Sequence, residues 1–301
     1  MLTLFTAKSI LTMNPSMPTA DAILVGDGRI IEVGHEDKMQ PWLDAHPHTV
    51  DRQFSEKIIC PGFIDPHLHP TMAAVLLPME FITAMRWKLP WGTVEPTTTA
   101  EQFDQRMAAL HAQKEPAAPL FIWGYHQLWH GPMGKQRINN VSSERPMVVW
   151  HRSFHELYMN DAALKMTEIN EQDIKPGAQV DFSTGHFYEN GLGLAIFRLN
   201  PWLLAPDKYA AGLQRLKQVV HHGGHTSIGD LATGLFDFES EANALATILE
   251  GDDVPFRTRL VAHGTAILKG SQPVEDGPTL ATQLIERNSH RLKFGKHIKL
   301  F

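Results

Sequence analysis

The sequence lacks several features that would identify a secreted, disulfide-bonded or membrane protein. Cys60 is the one cysteine among 301 residues, which excludes an internal disulfide framework and favours a reducing compartment. Apolar runs stay well short of the ~20 residues that span a bilayer. The first residues lack the basic start and long apolar core of a signal peptide. We therefore expect a cytoplasmic protein with no membrane partner.

Basic charge is also scarce. Lys and Arg number 27 against 33 Asp and Glu, so the net charge is -6 and the isoelectric point is near 6.3. A nucleic-acid-binding protein would usually show a basic excess, so nucleic acid is not an expected partner. A Rossmann-type cofactor domain is excluded because no G-x-G-x-x-G motif follows a predicted strand.

Hydrophobic patterning divides the chain into two kinds of structure. Residues 1–56 predict a small sheet or sandwich of short strands, with a hairpin turn at "GDG" (26–28). Thr98 or Thr99 is expected to cap a helix, and residues 170–206, rich in Gly, Pro and Asn, are expected to form long loops. From residue 206 onward helices alternate with strands, which indicates βα units and a parallel sheet.

The stretch "PGFIDPHLHP" (61–70) carries the clearest chemical signal. Its continuous apolar residues predict a strand at 62–66 that is buried on both faces. Residues two apart on a strand point to the same face, so His67 and His69 are expected side by side at its carboxyl end. Two neutral imidazoles so placed suit one divalent metal, although two loop histidines that happen to alternate would look the same.

These segments resemble the amidohydrolase superfamily of metal-dependent hydrolases. The likeness rests first on "AILVGDGRIIEVG" and "KIICPGFIDPHLHP". Four later segments follow in the order seen in the amidohydrolase family 3 branch, which includes N-substituted formamide deformylases. They are "RSFHELYMNDAAL", "GHFYENGLG", "HTSIGDLATG" and "RLKFGKHIKLF".

The resemblance implies a fold and a domain layout. The fold is a (β/α)₈ TIM-like barrel beside a β-sandwich. Residues 1–56 would be the N-terminal part of the sandwich, and residues 57–301 the first part of the barrel, with a large insertion at about 71–145. Because the sequence stops at Phe301 inside an expected strand, the barrel is expected to be incomplete, as in the N-terminal portion of a longer enzyme. An open strand edge is compatible with a homo-oligomer.

The resemblance also implies a site. His67 and His69 would be metal ligands, and Lys299 would be a carboxylated lysine that helps to bind one or two divalent ions, with zinc expected. The candidate catalytic residues are His155, Glu189 and Asp230. His155, in a pair with Asn160, would line the pocket together with Glu189 and hydrogen-bond the substrate, whereas Asp230 would orient a ligand or cap the next helix. An apolar pocket wall, or ordinary core packing, is expected of Met72, Met79, Phe81, Trp87 and Trp91.

The expected activity is metal-assisted hydrolysis of a small molecule at an amide-type C–N bond outside peptides. The metal would activate water, and an aspartate beyond residue 301 would be the general base. The alternative is a catalytically inactive half-barrel that serves as a binding or scaffold protein. The two alternatives differ in whether the later metal ligands and the general base exist.

Overall fold

The structure is a computed structural model that describes residues 1–115, 118–236, 238–262 and 298–300, with the backbone alone at 238, 239, 262 and 298–300. The chain divides into two units, Met1–Phe63 and Ile64–Phe301. The sequence places its boundary seven residues earlier, after residue 56.

Sixteen strands are described. In chain order they are β1 Leu2–Leu11, β2 Thr19–Gly26, β3 Arg29–Gly34, β4 His48–Ile59, β5 Phe63–Leu68, β6 Glu80–Phe81, β7 Trp87–Leu89, β8 Gly92–Val94, β9 Leu120–Tyr125, β10 Met147–His151, β11 Glu156–Met159, β12 Val180–Asp181, β13 His186–Tyr188, β14 His225–Thr233, β15 Arg257–Ala262 and β16 Ile298–Leu300.

Nine α-helices are described with them. They are α1 Gln40–Ala45, α2 Pro70–Leu76, α3 Ala100–Gln113, α4 Gln127–His130, α5 Lys135–Asn139, α6 Asp161–Met166, α7 Leu192–Leu203, α8 Pro206–His222 and α9 Phe238–Leu249. Single 3₁₀ turns occur at Glu36–Lys38, Glu171–Asp173 and Glu189–Gly191. In the described ranges, no helix is both long and apolar enough to cross a lipid bilayer.

The first unit contains a four-stranded sheet in the order β3-β2-β1-β4. Strand β1 pairs antiparallel with β2 and parallel with β4. The β2–β3 hairpin turns at Asp27 and Gly28, whose φ angles are 50° and 72°. Two successive positive φ angles are typical of the type I′ turn that matches the twist of a hairpin. The hairpin predicted at "GDG" is thus confirmed.

Three further sheets are described. The first has six strands in the order β12-β13-β11-β10-β9-β6, the second has four in the order β16-β15-β14-β5, and β7 and β8 form a two-stranded sheet. Strand β10 is buried along its whole length because it lies between β9, to which it is parallel, and β11, to which it is antiparallel. In the second sheet, β14–β15 and β15–β16 are parallel pairs, as the alternating pattern after residue 206 predicts.

Helix α3 shows why the local signals work. Thr99 is its N-cap, and its hydroxyl accepts the backbone N–H of Gln102 at 3.2 Å. Phe103, Met107 and Leu110 recur at helical spacing and are buried against the six-stranded sheet. Capping and an apolar stripe act together here, so the sequence predicts the helix correctly.

The described strands form no closed barrel, so the expected incomplete barrel stays a prediction. Three other expectations are corrected. Strand β10 lies in the range expected to form one barrel, residues 57–301 outside the insertion, but it belongs to a different sheet from β5 and β14. Strand β5 is not buried on both faces: Phe63 is 57% and Ile64 70% exposed, and β5 is the last of the described strands in the order of its sheet. Residues 170–206 are not only loops, since they contain β12, β13 and α7.

Candidate metal centre and substrate cavity

His67 and His69 lie where β5 ends and α2 begins. His67 is on the strand, and His69 is the N-cap residue of α2, in which Pro70 occupies the first turn. A proline there lacks only an N–H that the helix could not use, so the chain turns from strand to helix immediately after the second imidazole. This local sequence brings both rings to the carboxyl end of the strand.

The two imidazoles face each other with a separation that suits a shared metal ion. Their Nε2 atoms are 3.2 Å apart, and the rings meet edge to face at 88°. Two nitrogens bound to one tetrahedral zinc at ~2.0–2.1 Å would be separated by about 3.3 Å. The pair therefore fits two ligands of one divalent ion. In the part of the chain that is described, no third His, Cys, Asp or Glu joins them in a metal-binding group.

A cavity of about 640 Å³ opens beside the two histidines. That volume suits a small organic ligand. Its walls come from the carboxyl ends of β5 and β10, the loop after β14, and helices α2 and α7. The apolar lining is Leu68, Met72, Ala73, Leu76, Trp150, Phe154, Leu192, Ile196, Leu235 and Phe236, and the polar lining is His67, His69, Ser153, His155 and Glu189.

The pocket wall predicted from Met and aromatic residues is right at one position only. Met72 lines the histidine cavity. Phe81 and Trp87 belong to an aromatic cluster with Trp123, as the alternative of core packing allows. Met79, Phe81 and Trp91 line a different cavity of about 580 Å³. Side-chain type alone does not distinguish a wall from a core.

His155 and Glu189 lie opposite each other at the ends of two adjacent strands of the six-stranded sheet. Strands β11 and β13 are antiparallel with Glu156 opposite Tyr188, so the next residues outward, His155 and Glu189, are also opposite each other. The Glu189 N–H donates to the His155 carbonyl at 2.9 Å. The His155 Nδ1 lies 3.1 Å from Glu189 Oε2. Both side chains are exposed at the cavity, so the structure brings this pair together with His67 and His69.

Asp230 lies in a different environment from these four. It is buried within β14. Its carboxylate accepts the Ala232 N–H at 3.0 Å and the Thr233 hydroxyl at 2.7 Å. Those bonds shape the end of its own strand, well before α9 begins at Phe238. Lys299 lies on β16 opposite Arg259; its side chain is outside the described part of the structure.

Asn160 has no capacity left for a ligand. Its Oδ1 accepts the N–H groups of Met147 and Ala163, both at 2.9 Å. Its Nδ2 donates to the carbonyls of Ser142 and Arg145, both at 2.8 Å. A side-chain amide has two donors and two acceptor lone pairs, so all four are used. The asparagine therefore caps α6 and fastens the preceding loop, whereas its expected partner His155 lines the cavity.

Ser153 is a cavity residue that the sequence analysis missed. Its Oγ lies 2.7 Å from His151 Nδ1 and accepts the His155 N–H at 3.2 Å. His151 is buried, and this burial lowers its pKa below the ordinary value of 6.5, against a smaller opposing effect of Glu156. The available signal was positional: Ser153 follows the strand predicted at "MVVWH" by two residues, at the edge where sites form.

A second group of residues that sequence reasoning missed lies behind the cavity. Glu241 of α9 is fully buried. Its carboxylate accepts the Thr71 hydroxyl at 2.9 Å and the N–H groups of Gly234 and Phe236 at 2.7 and 2.6 Å. Tyr209, whose pKa is raised by burial, has its hydroxyl 2.8 Å from Thr71 Oγ1. This network joins the helix that follows His69 to the loop that forms one cavity wall.

Comparisons with known proteins show which proteins this chain resembles. No family model matches the chain. It is 26% identical over 261 residues to the exoenzymes regulatory protein AepA of Pectobacterium carotovorum subsp. carotovorum, covering 82% of this chain and 52% of that protein. The chain thus spans about half the length of this curated relative.

Two solved structures share the fold. One is an uncharacterized metal-dependent hydrolase from Pyrococcus horikoshii OT3, with 18% identity and a TM-score of 0.64 over 89% of this chain and 50% of that chain. The other is an uncharacterized metal-dependent hydrolase from Pyrococcus furiosus, with 17% identity and a TM-score of 0.63 over 89% of this chain and 52% of that chain.

Proposed function

We propose that this chain is part of a metal-dependent hydrolase in which His67 and His69 bind a divalent ion, with zinc as the preferred candidate. The observation that carries the proposal is the 3.2 Å separation of the two Nε2 atoms at the mouth of the cavity. The fold shared with two metal-dependent hydrolases supports it. A small-molecule substrate and a cytoplasmic location are part of the same proposal.

The finer part of the proposal concerns the bond that is cleaved. A divalent ion polarises a carbonyl and lowers the pKa of water, which suits hydrolysis of an amide-type C–N bond. The His155–Glu189 pair can hold or release a proton at the imidazole. The apolar walls would hold the rest of the substrate. A carboxylated Lys299, a second ion and a complete (β/α)₈ barrel of the amidohydrolase family 3 type belong to the proposal for the whole protein.

Metal binding is the first test of this site. The His67→Ala/His69→Ala double variant is expected to lose Co²⁺ or Zn²⁺ affinity by more than about tenfold, since removing even an outer-shell partner costs 10–100-fold. Calorimetry and the visible spectrum of bound Co²⁺ measure the change. Uptake that is equal in the double variant, or missing from the unchanged chain, would contradict the proposal.

The chain offers a matched control for this experiment. His46 and His48 are also two residues apart and exposed. However, His46 follows α1 and its ring lies against Trp42, with the ring centroids 5.8 Å apart, whereas His48 begins β4. The His46→Ala/His48→Ala variant should therefore keep the affinity of the unchanged chain. Loss of affinity in both double variants would mean adventitious binding to surface histidines.

The second candidate function is ligand binding without hydrolysis, as in a regulatory protein. It is favoured by the similarity to a relative named as a regulatory protein and by the two-residue ligand set within the described ranges. Amine release from N-benzylacetamide by the zinc-loaded protein distinguishes the two. Release that disappears in the His67→Ala/His69→Ala variant supports the hydrolase, whereas normal zinc binding with no release supports the binding protein.

A further inference from the structure

The hydroxyl of Ser153 has a defined direction. The Ser153 N–H donates to His151 Nδ1 at 3.1 Å. A backbone N–H can only donate, so Nδ1 carries a lone pair and the ring proton is on Nε2, which lies 3.1 Å from Gln127 Oε1. Ser153 Oγ is 2.7 Å from the same Nδ1. Because an unprotonated Nδ1 accepts there too, the Ser153 O–H must point to it.

One lone pair of the Ser153 hydroxyl remains available to a ligand in the cavity. A serine hydroxyl has one donor and two acceptor lone pairs. The donor is used by His151, and one lone pair accepts the His155 N–H at 3.2 Å. One lone pair is left on an exposed side chain that lines the same cavity as His67 and His69. Ser153 can therefore accept a hydrogen bond from a ligand but cannot donate one.

From this geometry we infer that Ser153 is a specificity-determining residue that accepts an N–H of the bound ligand. The inference rests on the proposed function, because it assumes that the cavity beside the two histidines holds the substrate. It narrows the substrate class to small molecules with an N–H next to an apolar group. The apolar group would lie against Trp150, Phe154 and Ile196, which line the same cavity.

The surroundings of His151 keep this direction at neutral pH. The charged and titratable groups around its ring are Glu156, His126, Arg152, His186 and Tyr125. Glu156 Oε1 lies 3.7 Å from Nδ1 and would favour a proton there, but burial of the ring lowers its pKa more strongly. The ring is neutral above that lowered pKa. Below it, Nδ1 gains a proton and the serine hydroxyl is released to donate.

A pair of probes that differ only in the N–H tests the inference. We expect N-benzylacetamide to bind about two- to tenfold more tightly than N-benzyl-N-methylacetamide, the range for one net hydrogen bond. Ligand-observed NMR titration measures both affinities. The preference should disappear in Ser153→Ala and remain in Ser153→Thr, which keeps the hydroxyl. It should also decrease as the pH falls through the lowered pKa of His151.

Controls separate this inference from the proposed function. Ser183→Ala removes an exposed hydroxyl bonded to Asp181 and should leave the preference unchanged. Equal affinity for the two probes, no binding of either, or a preference that persists in Ser153→Ala would overturn the role of Ser153. Co²⁺ titration of the same samples reports separately on His67 and His69. Normal metal binding with equal affinity for the two probes would contradict only the role of Ser153. A preference for N-benzylacetamide without metal binding would contradict only the metal site.

Discussion

Gly212→Ala is expected to lower the free energy of unfolding by about 1–3 kcal/mol, although alanine is the better helix former. A Cβ at Gly212 in α8 would lie 1.9 Å from the carbonyl oxygen of Ala74 and 2.6 Å from its carbonyl carbon. Both atoms are backbone of α2, so no side-chain rotation relieves the clash. The gain of about 1 kcal/mol in helix propensity is smaller than this steric cost, so destabilisation wins.

The same substitution should also disturb the candidate metal centre. Helix α2 begins immediately after His69, so a displacement of α2 by the new methyl group moves the second imidazole. Urea unfolding followed by circular dichroism measures the stability change, and Co²⁺ titration measures the effect on the site. Weaker metal binding together with lower stability is the expected result.

Gly193→Ala is the matched control. Gly193 is also helical, in α7, but a Cβ there would meet nothing within 4 Å. This variant should gain up to about 1 kcal/mol from the reduced freedom of the unfolded chain. If both alanine variants shift the unfolding midpoint in the same direction, close packing of α8 against α2 is not what requires glycine at 212.

Local features of this fold can be predicted from the sequence because their causes are local. The Asp27–Gly28 turn and the Thr99 cap each depend on residues within a few positions. The pairing of His67 with His69 depends on strand alternation at the end of β5 and on the helix start at Pro70, which directly follows His69. The requirement for Gly212 is different, because it arises from Ala74 on another helix. In the sequence, that glycine is only a weak point in an otherwise regular helix.

Features that depend on which strands pair with each other could not be predicted from the sequence. The apolar run at Phe63 and Ile64 predicts burial, but both are exposed on β5, the last of the described strands in its sheet. His155 and Glu189 are 34 residues apart and meet only through the antiparallel register of two strands. The resemblance named both as pocket residues without indicating that they contact each other. The position of Ser153 two residues after a predicted strand was available from the sequence, but the direction of its hydrogen bond depends on the tautomer of the buried His151.

Glu241→Ala is the second substitution with a large expected effect, a loss of about 3–5 kcal/mol. It removes the acceptor of the Gly234 and Phe236 N–H groups and of the Thr71 hydroxyl. A buried donor left without an acceptor costs about 1–3 kcal/mol, and the costs of three donors are only partly relieved by local rearrangement. Thermal and urea unfolding measure the loss, with the exposed Glu144→Ala as the control that should change little.

A double-mutant cycle shows whether this carboxylate couples the two parts of the site. Thr71→Val removes the hydroxyl donor on α2, and Glu241→Gln weakens its acceptor while keeping the side-chain volume. If the bond at 2.9 Å holds α2 against the loop at Gly234, the two losses should be non-additive by about 1 kcal/mol. Additive losses would show that Glu241 stabilises the loop independently of α2. Coupling would mean that one buried carboxylate sets both the helix that follows His69 and the cavity wall at Phe236.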